Sequence, residues 1–540
     1  QCRLIPWDRA GREVNYRRFF DIGGLVGLRV ELPDVFEAVH TRLFTLLEID
    51  VVCGVRIDHP DGLSDPTAYF AELRRRGVSY IVAEKILERD EPLPSSWDID
   101  GSVGYEALTL LSSLFINRSA EALWTGWYQT HIESGDQRRI LYEQKRRIAS
   151  ETLRSGIERV ARLSLNGIAA SEALCDIAAS FPVYRTYVRA CGPIPEGDRA
   201  IIEEVGASRF FLEGGDREGL LHLQQLLPGV MAKGFEDTHL YTNTRQLALN
   251  EVGGDPFSWG ASPEEFHTLM QTQSGGLFPL STHDTKRSLD VRMRCAALTH
   301  RSEEWFQFAE RWLKPSSSMH YLALQTIVST WPIDRERLSS YLIKAAREAK
   351  EKTSWTDRDE TYEEGLTSWA VSLLESDPFC RDLEDLLVSV RPLGEAFSEA
   401  AHLVALATHR TYDLYWGEEL ETLSLVDPDN RRPVDFTLRA SLLEGEMPRR
   451  MATIVRGLQM RRAYRDLFIH GDYIPIDFEG GVSFLRLYKE QCAIVWARTK
   501  PATDASILTL PFPVVLDGKE VTEIECDTSP GTLYISDSAS

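Results

Sequence analysis

The sequence predicts an α/β protein built on a (β/α)8 TIM barrel, enlarged by large helical insertions and followed by a C-terminal β-sandwich-like domain. Three observations carry that expectation. A strand–helix–strand succession lies between residues 51 and 85, and a helical crossover joins parallel strands. Three acidic residues, Asp58, Glu84 and Asp284, stand at the ends of apolar runs, where such a barrel builds its active site. From about residue 470 the pattern changes to short alternating runs, as in a separate β domain.

The elements follow in order. Val35, Val39, Leu43 and Leu47 recur at helical spacing within Glu31–Glu48. Val51–Asp58 is β-branched and apolar with a polar end, which reads as a buried strand. Ser64-Asp65-Pro66 then supplies a capping residue and a first-turn proline, so a helix is expected from Thr67 to Arg76. Tyr80–Lys85 is the second strand. Residues 104–227 read as helices with charged faces, for example Glu143 to Leu163, and form a candidate enclosure for a site. Val230–Lys233 and Leu277–Asp284 are expected as short strands, 286–408 as helices, and Tyr412–Gly417 as a last strand. Ser483–Leu487 and Ala493–Ala497 alternate within the β domain. The expected segments are a partial barrel at 1–97, a helical insertion at 98–227, and a barrel continuation at 228–300. A second insertion at 301–408, the last barrel strand and helix at 409–469, and the β domain at 470–540 complete them. Residues 536–540 are expected to fray.

Composition narrows the function. The 540 residues carry a formal charge of −22, which argues against nucleic acid and anionic membrane surfaces and is compatible with a neutral ligand such as a sugar. The eight cysteines are scattered singly, too few for a disulfide scaffold and without the close spacing of a zinc site. Reduced thiols and a cytoplasmic location are expected. No apolar run approaches the ~18 residues of a membrane span, and no signal peptide is visible. The first residue is Gln, and the chain opens inside sequence that reads as folded, so an N-terminal part is expected to be missing.

Glu84 follows Asp58 by 26 residues, about one βα repeat. Adjacent strand ends would set the two carboxylates across one pocket, as a retaining glycosidase needs at roughly 5–5.5 Å. Arg56, two residues before Asp58, shares its face in a strand and favours an ionised nucleophile. Ile81-Val82-Ala83 ahead of Glu84 desolvates that carboxyl and favours a protonated acid. Lys85 is expected to point to the other face. Strand-end acids are also common as caps or solvated ends. His283-Asp284 alone also fits a metal-dependent phosphohydrolase, although further ligands are then needed, and His59 with Asp61 is the only other cluster.

Gly54-Val55-Arg56-Ile57-Asp58-His59-Pro60-Asp61-Gly62-Leu63 resembles the nucleophile motif of the α-amylase superfamily of glycoside hydrolases, in the form found in maltooligosyltrehalose synthases. Val82–Leu87 resembles that family's acid/base strand, and Ser281–Ser288 the strand with the third acid. Val14–Asp21, Gly229–Thr238, Leu249–Pro256 and Ser424–Asp435 resemble stretches specific to the synthases. The resemblance runs from about residue 3 to 470. It implies a barrel of the α-amylase type, with three strands and an Asn-His loop ahead of Tyr16 that are absent here. It implies Asp58 as nucleophile, Glu84 as general acid/base and Asp284 as transition-state stabiliser, with Arg56, His59 and His283 lining the subsite. Lys233, Glu236 and Asp237 match a motif near the substrate. Where the family reads Gln and Thr, this chain has Trp416 and Glu418.

What the resemblance implies is an isomerase that converts the reducing-end α-1,4 link of maltooligosaccharides to an α,α-1,1 link. It needs no cofactor or metal, and acts in a pathway with a maltooligosyltrehalose trehalohydrolase. The alternatives are a hydrolase of the same superfamily, cutting α-1,4 links or releasing trehalose, and an inactive, binding-only protein.

Overall fold

The computed structural model describes residues 3–132, 135–164, 171–212, 217–273 and 275–537. The chain divides into two compact units. Gln1–Val103, Gly135–Thr242 and Arg347–Arg358 make the first; Gly104–Ser134, Asn243–Ala346 and Asp359–Ser540 make the second.

The first unit begins with an antiparallel pair, β1 (Arg18–Phe19) and β2 (Ile22–Val26). A parallel sheet follows, in the order β3 (Gly54–Ile57), β4 (Tyr80–Ala83) and β5 (Gly101–Ser102), with Arg56 opposite Val82. Helix α1 (Pro33–Glu48) precedes β3, and α2 (Pro66–Arg75) crosses from β3 to β4. Phe36 and Phe44 of α1 join Phe70, Leu73, Val78, Ile81 and Ala83 in one apolar cluster, whose removal from water holds helices and sheet together. The expected cap forms, with Asp65 accepting from the Ala68 N–H at 2.9 Å ahead of Pro66. At the other end of α2, Arg74 donates to the Ser79 carbonyl at 2.7 Å and pairs with Asp100 at 2.6 Å. Asp100 in turn accepts the Ile81 N–H at 2.7 Å, so one arginine ties the helix end to β4.

Within this unit the described residues of 137–180 and 196–242 are largely helical, and 181–195 are an irregular segment between them. The helices include α3 (Gln137–Arg147), a π-helical turn (Ile148–Thr152), α4 (Arg154–Leu163) and α5 (Ser171–Ser180). They share a core of Ile157, Val160, Leu174, Ile177, Leu220, Leu223 and Val230. The strand expected at Val230–Lys233 is instead helix. Leu227–Met231 is α-helical and Ala232–His239 is π-helical. Leu227, Val230, Met231 and Phe235 are buried and recur at i, i+3, i+4 and i+8. A four-residue apolar run cannot tell the two periods apart.

In the second unit β6 (Leu277–Pro279) and β7 (Thr411–Asp413) pair in parallel, Phe278 opposite Tyr412. Both strands stop earlier than their sequences suggested: residues 280–286 form a loop with a turn at His283 and Asp284. Helices α6 (Leu289–Thr299), α7 (Ser318–Thr330) and α8 (Asp377–Ala407) dominate residues 286–408, and α9 (Arg449–Ala463) follows β7. Every residue of α6 is buried. Gly394 of α8 lies so close to it that a Cβ there would sit 2.9 Å from the Arg294 Cγ. From Asp472 the chain is all β. An antiparallel sheet β13–β10–β9–β8 (Gly531–Ser536, Gln491–Arg498, Gly481–Tyr488, Asp472–Ile476) shares a core with the pair β11–β12 (Ser506–Leu516, Lys519–Cys526). Ser536 closes β13, and the remainder of the expected frayed end, 538–540, lies outside the described residues. The two-residue β5 and the β1–β2 pair carried no strand signal; β5 is too short for a period to show.

Candidate active site

The parallel register of β3 and β4 decides the geometry of the first unit's polar cluster. The Ile57 carbonyl accepts the Glu84 N–H at 2.9 Å, one step beyond β4. Asp58 and Glu84 therefore leave the same edge of the sheet as neighbours. One guanidinium serves both: Arg56 Nη1 lies 2.6 Å from Asp58 Oδ1, and its Nη2 lies 3.2 Å from Glu84 Oε1. Glu84 Oε2 accepts the His59 backbone N–H at 2.9 Å. The Asp58 side chain is 61% exposed and that of Glu84 16%. Burial would raise the Asp58 carboxyl, but the Arg56 hydrogen bond and charge, a hydrogen bond with Glu84 and the charge of His59 outweigh it. Its pKa falls below the ordinary value. Arg56 thus lies against both carboxylates, and its charge favours the ionised form of Asp58.

The loop after Asp58 is held partly by residues of the quoted motifs and partly by Arg185 and Tyr187, which no motif had singled out. His59 is left-handed, φ 45° and ψ 51°, and its ring meets Phe19 and Phe20 edge-on at 5.2 and 4.8 Å. Burial lowers its pKa. Gly62 makes room for that ring, since a Cβ at 62 would fall 2.6 Å from the His59 Cδ2. Lys85, fully buried, reaches Asp61 at 3.6 Å and Glu91 at 3.1 Å. Arg185 donates to the Asp61 and Leu63 carbonyls at 2.7 Å each, and the Tyr187 hydroxyl to Asp61 Oδ1 at 2.5 Å. Nothing periodic marks Arg185 or Tyr187; the acidic residue inside the nucleophile motif was the only available hint of partners.

Of the remaining expected site residues, Lys233, Glu236 and Asp237 occupy the π-helical turn. Lys233 pairs with Asp237 at 2.9 Å and Asp21 at 3.7 Å, and lies 5.7 Å above the Phe20 ring, the same ring that touches His59. Glu236 accepts the Tyr184 hydroxyl. Phe20 therefore connects Lys233 to the His59 loop.

Asp284 and His283 belong to the second unit. His283 Nε2 lies 2.9 Å from Asp284 Oδ2, and both side chains are about half exposed. Asn430, from the expected Ser424–Asp435 stretch, donates to the His283 carbonyl at 2.8 Å. The Asp284 N–H donates to Thr282 Oγ1 at 3.1 Å. Among the described residues no group of three or more His, Cys, Asp or Glu side chains could hold a metal ion. None of their helices is long and apolar enough to cross a membrane, and the seven described cysteines are free.

No protein-family model matches the chain. A curated relative from Mycobacterium tuberculosis, named as a maltooligosyl trehalose synthase, is 33% identical over 513 residues, 88% of this chain. The match spans 66% of that relative's length. The solved structure of maltooligosyltrehalose synthase from Arthrobacter ramosus is similar with a TM-score of 0.87 at 31% identity, over 98% of this chain and 76% of that one. A maltooligosyl trehalose synthase structure from Sulfolobus tokodaii gives 0.84 at 28% identity, over 97% and 74%.

Proposed function

The chain belongs to the maltooligosyltrehalose synthase family, and from that membership we propose that it is an isomerase of maltooligosaccharides. It converts the reducing-end α-1,4 link to an α,α-1,1 link and so gives a maltooligosyltrehalose. The observation that carries this reading is the single Arg56 guanidinium shared by Asp58 and Glu84. Two carboxyls leaving neighbouring parallel strands are what a retaining double displacement requires.

Asp58, held ionised by Arg56, attacks the anomeric carbon of the penultimate glucose, while Glu84 gives its proton to the departing O4. Glu84, mostly buried behind Ile81-Val82-Ala83, is assigned that proton on the ground that desolvation favours a neutral carboxyl. The released glucose turns over in place. Glu84 then takes the proton of its anomeric hydroxyl, which attacks the glycosyl–enzyme from the face opposite Asp58, the side the O4 left, and releases the Asp58 carboxylate. Two inversions leave the α configuration. Asp284 is assigned the stabilisation of the charged transition state from its motif, and Arg56, His59, His283, Lys233, Glu236 and Asp237 the substrate contacts. The same proposal includes the (β/α)8 barrel of the α-amylase type, which the parallel pairing in both sheets supports. It also includes a cytoplasmic setting, and a trehalohydrolase that consumes the product.

Incubation with maltopentaose tests the reading. Reducing ends should disappear at constant product mass, and Asp58→Asn should lower turnover by several orders of magnitude with little loss of folding. An Asp58→Asn variant within tenfold of the parent would refute the nucleophile. The exposure of Asp58 favours one second reading, hydrolysis by the same pair. Glucose or free trehalose among the products identifies it.

A further inference from the structure

Lys233, Glu236 and Asp237 sit in a π-helical turn, Ala232–His239. Such coils are rare and occur mostly as short pieces within helices, often at functional sites. Helix α3 packs against this one so closely that a Cβ on Gly234 would lie 2.9 Å from the Lys145 Cα. A second support comes from far along the chain, from the segment Arg347–Arg358 of the same unit. Lys350 Nζ donates to Thr238 Oγ1 at 2.7 Å, to the Asp237 carbonyl at 3.4 Å and to the Glu348 carbonyl at 3.0 Å, which occupies its three N–H donors. The Thr238 hydroxyl passes the contact on, donating to the Lys233 carbonyl at 2.7 Å. Asp237 pairs with the Lys233 ammonium at 2.9 Å. The Lys350 ammonium therefore reaches Lys233 twice, at its carbonyl through Thr238 and at its side chain through Asp237.

The backbone at this position points the same way. A helix ends at Ala349, and Lys350 after it is left-handed, φ 56°. Glycine takes that conformation freely and lysine does not. Gly77 and Gly206 fill it after two other helices of this unit, at φ 94° and 71°. A lysine at a position suited to glycine has a use for its ammonium. Arg147 Nη1, at the end of α3, donates to the Lys350 carbonyl at 3.4 Å and helps to hold the residue there.

We propose that Lys350 is a positioning residue for the saccharide site: its ammonium fixes the Asp237–Thr238 end of the π-helical turn, so that Lys233 meets the substrate in one place. The proposal rests on the reading of Lys233 as a substrate contact, and adds to it the part that holds Lys233 still. Without the ammonium, the Asp237 carbonyl and the Thr238 hydroxyl lose a donor. The wide coil is then free to relax toward α-helical spacing, which turns Lys233 about the coil axis and away from its place over the Phe20 ring.

The test is a double-mutant cycle on maltopentaose binding, read by titration calorimetry in the Asp58→Asn background so that no turnover intervenes. Calorimetry gives the Kd and the number of competent sites separately. Lys350→Met is expected to raise Kd about tenfold, as the loss of one hydrogen bond to a charged group does. In the Lys233→Met background the same change should move Kd by less than about twofold, because the residue it positions is gone. A residue that only stabilises the fold would lower the number of sites and leave Kd alone. An unchanged Kd in Lys350→Met, or an equal rise in both backgrounds, would therefore overturn the proposal and leave the reading of Lys233 intact. Lys233→Met with an unchanged Kd, or no binding of maltopentaose at all, would overturn that reading and the proposal with it. Lys350→Gly is the second variant, since it removes the ammonium and relieves the left-handed backbone. It should give the same pattern in Kd. Failure of both Lys350 variants to fold would make Lys350 a structural residue and overturn the proposal as well.

Discussion

Removing Arg56 tests the core of the site most directly. In Arg56→Met both carboxyls lose one cation at once. A hydrogen bond to a charged group contributes about 1.5–3 kcal/mol. The Arg56 side chain is 34% exposed and that of Asp58 61%, so solvent screening holds each contact to the low end of that range. Together they come to about 2–3 kcal/mol, or about 30- to 150-fold in kcat/KM. The pH profile should move as well. In the proposed mechanism Asp58 works as an anion, and the guanidinium helps to keep its carboxyl below the ordinary range against burial. Without it the folded-state pKa rises, so the acid limb of kcat/KM moves to higher pH. Arg56→Lys keeps a charge but reaches one carboxylate at a time, and should recover part of the rate. The assay is kcat/KM on maltopentaose across the acid range for the three proteins. An acid limb unmoved in Arg56→Met, with a rate within threefold of the parent, would refute the electrostatic role.

Three further changes probe the surroundings. Glu84→Gln should slow maltopentaose far more than an α-maltosyl fluoride, because an acid assists only a poor leaving group; equal slowing of both would remove Glu84 from the role. Lys85→Met leaves Asp61 and Glu91 buried with their shared cation gone, and should cost about 3–5 kcal/mol in urea denaturation. A change under about 1 kcal/mol would show that the carboxylates find other partners. Gly62→Ala forces a methyl against the His59 ring, which Phe19 and Phe20 confine. The shift of the His59 N–H from Glu84 should lower kcat/KM by about tenfold or more with little change in melting temperature, and an unchanged rate would show that the ring can move aside freely.

Much of this was legible along the chain, because it is local. Val51–Asp58 and Tyr80–Lys85 read as strands since a buried parallel strand is a short apolar run with a polar exit, and β3 and β4 fall within them. Asp65-Pro66 marked the start of α2 because a cap and a first-turn proline act on their own turn. The alternation after residue 470 marked the β domain in the same way. Arg56 and Asp58 share a face because a strand repeats every two residues, so their pairing follows from spacing alone. Even the family was written in contiguous motifs.

Other features have no local signature. Val230–Lys233 looked like a strand, and only the burial of Leu227, Met231 and Phe235 in a common packing decided for a helix with a π-turn. Tyr187 reaches Asp61 from 126 residues away. Glu418 meets Ser281 across 137 residues. Such contacts join single side chains on separate segments, and neither a period of 2 nor of 3.6 records them. The sequence by itself therefore determined which acids leave which strands. The tertiary structure decided that one guanidinium serves two of them and that a buried carboxyl sits under the turn of the third. Both depend on distances that exist only once distant segments have packed.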